Sequence, residues 1–204
     1  MNAPLSRADL LWRRSIALSG VPEHDEVAVG LDLSLTSTGW AAIRRGRMIG
    51  FAVSPPAGIV GAERLYFFEK ELVGLLARYE PHMVAVEGYS FGSRNGREQA
   101  GELGGIARLV LHKAKVPWFT VPPQSLKAFA TGKGTAEKSA VGKELFKRWG
   151  VDLPGNDATD AGGLALIAFS RLHSGLTLTQ AQKDTLQKIL QPGAKSVDKK
   201  SGSR

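Results

Sequence analysis

Val27-Ala-Val-Gly-Leu-Asp-Leu-Ser-Leu-Thr-Ser-Thr-Gly39 decides the fold. Its first half is apolar and β-branched, the composition of a buried strand, and it ends on the acid Asp32. A carboxylate at the end of a buried strand is costly to desolvate unless something positive meets it there. The same construction recurs in Met83-Val-Ala-Val-Glu87, and Asn156-Asp-Ala-Thr-Asp160 opens another apolar stretch. Two strands and one helix therefore each deliver an acid, and a shared divalent cation is the simplest account.

Working outward, residues 39–43 and 48–53 read as two further strands around the polar turn Arg44-Arg45-Gly46-Arg47, so that three consecutive strands form a meander. Leu65, Phe68, Leu72, Leu75 and Leu76 recur at helical spacing within 62–79, ahead of the strand 83–87. A polar loop from Gly88 to Gly96 leads into a helix that runs to about Lys115 and holds Gly101, Gly104 and Gly105. Each interior glycine costs a helix roughly 1 kcal/mol relative to alanine, so close approach of another backbone is expected there, either in tight packing on the helix's own sheet or in a subunit contact. Val116 to Val121 is a fifth strand, and helices follow at about 124–130, 136–149 and 157–172.

This order predicts an α/β fold, a mixed five-stranded sheet with helices on both faces. The organisation expected is an N-terminal extension over 1–24, one domain over 25–173, and a polar to basic extension over 174–204. One more helix is expected at 177–190, and the lysine-rich end is expected to be disordered.

The chain has 204 residues, 43% hydrophobic content and no cysteine, which excludes disulfides, thiolate zinc sites and cysteine nucleophiles. No run reaches the length of a membrane span or a signal-peptide core, so a cytoplasmic protein is expected. The net charge of +8 favours polyanionic partners through phosphate contacts. Four acids in a basic protein would repel the phosphates that the rest attracts, and metal ions resolve that conflict.

Hard oxygen ligands suit Mg²⁺, with Mn²⁺ as a substitute. Two such ions can position a water and stabilise the leaving oxygen of a phosphoryl displacement. Asp157 and Asp160 share a helix face about 5–6 Å apart, although Asp157 alone also reads as a helix cap. The histidines, His24, His82, His112 and His173, have no ligand-like spacing and read as surface or structural residues.

Gly30-Leu-Asp-Leu-Ser-Leu-Thr-Ser-Thr-Gly-Trp40 resembles the first motif of RuvC-type Holliday junction resolvases, Gly-Ile-Asp-Pro-Gly-x-x-x-Thr-Gly-Tyr. The similarity extends to Ala85-Val-Glu87, to Lys127 and Ala136-Glu-Lys-Ser139, and to Asp157-Ala-Thr-Asp160, covering roughly residues 26–172. The resemblance implies an RNase H-like fold and a homodimer acting on four-way DNA junctions. No nucleotide cofactor is expected, because the rival reading of Asp32-Leu-Ser-Leu-Thr36, a phosphotransferase of the actin/sugar-kinase type, needs a second related domain for which 204 residues leave no room. It makes Asp32, Glu87, Asp157 and Asp160 metal-binding catalytic carboxylates, with two Mg²⁺ ions per site, and the products would carry 5′-phosphates. Lys138 and Lys127 match lysines that approach the DNA backbone, and Lys133 and Arg94 add basic loops; a solvated helix lysine is the plain alternative for the first two.

Phe91 matches by offset an aromatic that enters the junction core, with Tyr89 as competitor and ordinary loop packing as the alternative. Such wedges offset an unstacking cost of a few kcal/mol. The chain departs from the pattern where Leu33-Ser34 replaces Pro-Gly, and in its longer C-terminal segment, a drift that resembles phage members of the family. Alternative readings on the same fold are a fork- or flap-cutting nuclease, an RNA-processing nuclease and a non-catalytic junction-binding protein.

Overall fold

A computed structural model describes residues 12, 14–88 and 97–190, the side chains of 97–100 excepted. The strands are β1 (Ile16–Ala17), β2 (Ala28–Asp32), β3 (Thr38–Arg44), β4 (Arg47–Val53), β5 (Met83–Glu87) and β6 (Trp118–Val121). They form one sheet in the order β1-β4-β3-β2-β5-β6. β2, β3 and β4 make the expected antiparallel meander, and β5 and β6 add in parallel. The mixed α/β architecture is as expected, but the sheet has six strands rather than five. The additional strand, β1, is two residues that pair Ile16 with Met48 along the edge of β4. A strand that short has no periodicity to read.

The helices are α1 (Gly61–Tyr79), α2 (Arg97–Lys113), α3 (Pro123–Thr131), α4 (Lys138–Trp149), α5 (Asn156–Leu172) and α6 (Gln180–Leu190). None of the described helices is long and apolar enough to cross a membrane. Strand alternation sorts them onto two faces. Val27, Val29 and Leu31 join Val84 and Val86 against Leu72, Leu75 and Leu76 of α1 and Ala107, Val110 and Leu111 of α2. Ala28, Ala41, Ile43 and Ala85 face the other way, onto α5 and the helices behind it.

The α5 face of the sheet is built from small residues, and this sets how deeply α5 sits. A Cβ on Gly30 would overlap the Ala161 carbonyl and the Ala165 amide, and one on Gly39 would overlap the Asp157 carbonyl. Residues 161–169 of α5 are all buried. In α2, a Cβ added at Gly101 or Gly105 would meet no atom within 4 Å among the described residues, so the chain's own sheet does not approach those two glycines; within the chain the close backbone approach is at α5.

α6 is joined to this body through a polar residue. Gln182 is 2% exposed, and its Nε2 donates to the Phe129 carbonyl of α3 at 3.0 Å. Its Oε1 accepts from the Thr179 amide at 2.9 Å, while Ile189 adds to the core.

Candidate active site

The strand register brings the first two acids side by side. β2 and β5 are parallel, with Leu31 opposite Val86, so Asp32 and Glu87 leave neighbouring strand ends. Alternation turns both towards α5, because Gly30 and Ala85 precede them by two on that face. Asp32 is 8% exposed. Both carboxyls are raised above the ordinary range. For Asp32 the main cause is burial, opposed by a hydrogen bond from Glu87 and reinforced by the charge of Asp160. For Glu87 burial and the Asp32 charge push the value up to about 9. Glu87 therefore carries the shared proton, since two adjacent carboxylates in a low-dielectric site do not both ionise.

The other two acids come from the first turns of α5, whose N-terminus is drawn over β2 and β3 by Gly30 and Gly39. Asp157 does not cap the helix: the N-cap position is Gly155 and there is no side-chain capping bond, while Thr159 Oγ1 donates to the Gly155 carbonyl at 2.8 Å. Asp160 is 8% exposed, as expected for an acid aimed inward. Burial raises its carboxyl, opposed by Lys138.

Lys138, the first residue of α4, places Nζ 3.2 Å from Asp160 Oδ2 and 3.9 Å from Asp157 Oδ1. It is the only cation within 4 Å of these acids among the described residues. Its ammonium is raised above the ordinary lysine value; burial opposes this, and the fields of Asp160, Asp32 and Asp157 outweigh it. Lys127 on α3 is near enough to lower the Asp160 carboxyl electrostatically. Lys133 lies in the α3–α4 connection, where its amide donates to Thr131 Oγ1 at 3.1 Å. Tyr89, Phe91 and Arg94 lie outside the described residues.

The structure thus brings Asp32, Glu87, Asp157, Asp160 and Lys138 into one electrostatically connected group. The donor set is all oxygen, and a single lysine against four acids leaves Glu87 protonated. Such a set fits a hard divalent cation, which would supply the missing charge and release that proton.

No family model matches the chain. Individual relatives do. A crossover junction endodeoxyribonuclease RuvC from Paenarthrobacter aurescens is 32% identical over 172 residues, covering 76% of this chain and 90% of that protein. One from Acidobacterium capsulatum is 33% identical over 140 residues, covering 67% of this chain and 80% of its relative. Among solved structures, Thermus thermophilus RuvC matches with a TM-score of 0.62 at 24% identity, over 75% of this chain and 99% of that one. The same enzyme in complex with a Holliday junction substrate matches with a TM-score of 0.63 at 22% identity, over 76% and 99% of the two chains. The structural likeness gives the RNase H-like fold, the sequence relatives give the lineage, and the chain belongs to the RuvC family of crossover junction endodeoxyribonucleases.

Proposed function

We propose that the protein resolves four-way DNA junctions by paired hydrolysis of phosphodiesters, acting as a homodimer on intracellular branched DNA. The observation that carries this is the convergence of Asp32, Glu87, Asp157 and Asp160 at one sheet edge, with Lys138 among them, in a chain of net charge +8. A protein that only bound junctions would gain from losing acids that repel phosphate.

In this reading the four acids hold two Mg²⁺ ions, for which Mn²⁺ can substitute. When bound, the ions supply Lewis-acid polarisation of the scissile phosphate and an acidified water. The remaining work belongs to the chain. Asp32 is central to the cage, next to Glu87, and Asp157 with Asp160 closes it from α5. Lys138 holds a non-bridging phosphate oxygen, while Lys127 and Lys133 follow the backbone on either side of it. Water adds to phosphorus, the bond to the 3′-oxygen breaks, and the products carry a 5′-phosphate and a 3′-hydroxyl. Phe91, with Tyr89 as the competing residue, wedges into the junction centre, and Arg94 contributes to DNA binding.

The test is a cleavage panel of four-way junction, fork, flap, duplex, single strand and RNA, with Mg²⁺ or Mn²⁺, using wild type and Asp32→Asn. Symmetric paired nicks confined to the junction, and junction binding without cutting by Asp32→Asn, are the expected results. Equal cutting of all branched forms would remove the resolvase assignment while leaving the chemistry. Full cleavage by a folded Asp32→Asn would sink both.

A further inference from the structure

A second cluster of ligand-type side chains lies at the opposite end of the sheet. His24 and Glu26 precede β2, whose far end carries Asp32. His173 follows the last residue of α5, whose first turn carries Asp157. With 17 residues, α5 separates the two ends by roughly 25 Å. One ligand-capable atom from each of His24, Glu26 and His173 lies within 4.8 Å of the other two. The rings of His24 and His173 stack, with centroids 3.8 Å apart and planes 2° from parallel, and His173 also rests on Phe169 at 4.7 Å.

His173 is the distinctive member. Its side chain is 9% exposed, and its Nε2 is buried with no hydrogen-bond partner among the described residues. Glu26 Oε2 faces it from 3.9 Å, too far for a hydrogen bond. A buried polar atom left unpaired costs about 1–3 kcal/mol, so its retention calls for a reason. The adjacent polar groups are engaged elsewhere: His82 Nδ1 accepts from the Val27 amide at 3.1 Å, and Asp25 pairs with Arg44 and Arg45.

We infer that His24, Glu26 and His173 form a binding site for a transition-metal cation of the Zn²⁺ or Ni²⁺ class, separate from the carboxylate site. Two imidazoles and one carboxylate suit borderline metals and disfavour Mg²⁺. A tetrahedral cage with bonds of about 2.1 Å sets its ligand atoms about 3.4 Å apart, so the present spread closes by up to about 1.4 Å. Stacked rings keep their nitrogen lone pairs in two parallel planes, which do not converge on one ion, and His24 therefore swings out of the stack to bind. His24 and Glu26 are partly exposed and can make that movement, whereas His173 is fixed by packing. Water completes the fourth position. A bound ion ties the segment before β2 to the end of α5 and stabilises the fold by mass action.

The experiment is a calorimetric titration of the chelator-stripped full-length protein with Zn²⁺ in millimolar Mg²⁺, with Co²⁺ absorption as a parallel readout. One saturable Zn²⁺ per chain, visible d–d bands with Co²⁺ and a Zn²⁺-dependent rise in Tm are expected. Affinity drops about tenfold or more in His24→Asn and in Glu26→Gln, and is kept in Asp32→Asn. The assignment is overturned if wild type shows no saturable binding or if both variants bind as wild type does. It is equally overturned if Asp32→Asn abolishes binding, which would place the ion among the carboxylates.

Discussion

Lys138 Nζ stands 3.2 Å from Asp160 Oδ2, so the first residue of α4 is tethered to the second turn of α5. This contact fixes the charge of the acid as well as its position. Removing the ammonium leaves the Asp160 carboxyl under burial and the field of Asp157, both of which raise its pKa. Lys138→Ala is expected to slow cleavage about a hundredfold and to move the acidic limb of the pH–rate profile to higher pH. Lys138→Arg, which keeps the charge, holds the limb in place. A profile that stays put in Lys138→Ala would mean that the lysine does not govern Asp160.

Glu87 makes the metal-free protein sensitive to alkaline pH. Its folded pKa of about 9 lies above the ordinary glutamate value of 4.5. Between those values the native state holds a proton that the unfolded chain has lost. The stabilisation is therefore complete below about 4.5 and is lost as pH rises towards 9. Chelated protein should lose stability steadily from pH 5 to pH 9, by up to about 1.4 kcal/mol per pH unit, read as a falling Tm. Glu87→Gln should flatten that slope, and millimolar Mg²⁺ should reduce it in the wild type. A pH-independent Tm in chelator would contradict the shared proton.

The path from sequence to site is short for Asp32 and Glu87 and long for everything that brings α5 to them. Both acids end apolar strands, so alternation alone fixes their face once the strands are neighbours. Nothing local in Gly30 or Gly39 reveals that they receive the backbone of residues 157–165, because that contact depends on topology. The glycines of α2 are conspicuous in the sequence, yet among the described residues nothing lies within 4 Å of a Cβ placed on Gly101 or Gly105. β1 is too short to show a period, and α6 looks polar because its anchor is a glutamine. His24 and His173 share no spacing, and only the packing of α5 along β2 puts them in contact.

The same substitution should have opposite signs at two glycines. Gly39→Ala pushes a methyl into the Asp157 carbonyl, where only backbone can give way. A loss of about 1–3 kcal/mol is expected, together with a fall in cleavage beyond what stability explains, because the strained contact is the one that seats Asp157. Gly105→Ala meets nothing within 4 Å in the interior of α2 and should stabilise by about 0.5–1 kcal/mol with unchanged cleavage. Thermal melts and junction cutting on the two variants decide it. A neutral Gly39→Ala would show that α5 is less closely seated than its backbone contacts require.

Gln182 tests whether α6 supports the lysine-bearing helices or merely follows them. Its amide nitrogen satisfies the Phe129 carbonyl two residues beyond Lys127, and its oxygen holds the Thr179 amide at the start of α6. Leucine in its place fills the volume but leaves both backbone groups unpaired in a site that is 2% exposed. Gln182→Leu should cost about 1–3 kcal/mol. If α6 braces α3, the variant should also bind junctions more weakly, with faster hydrogen exchange in residues 123–138 and unaltered exchange in β2 and β5. Lost stability with unchanged exchange in α3 would reduce α6 to a cover over the core.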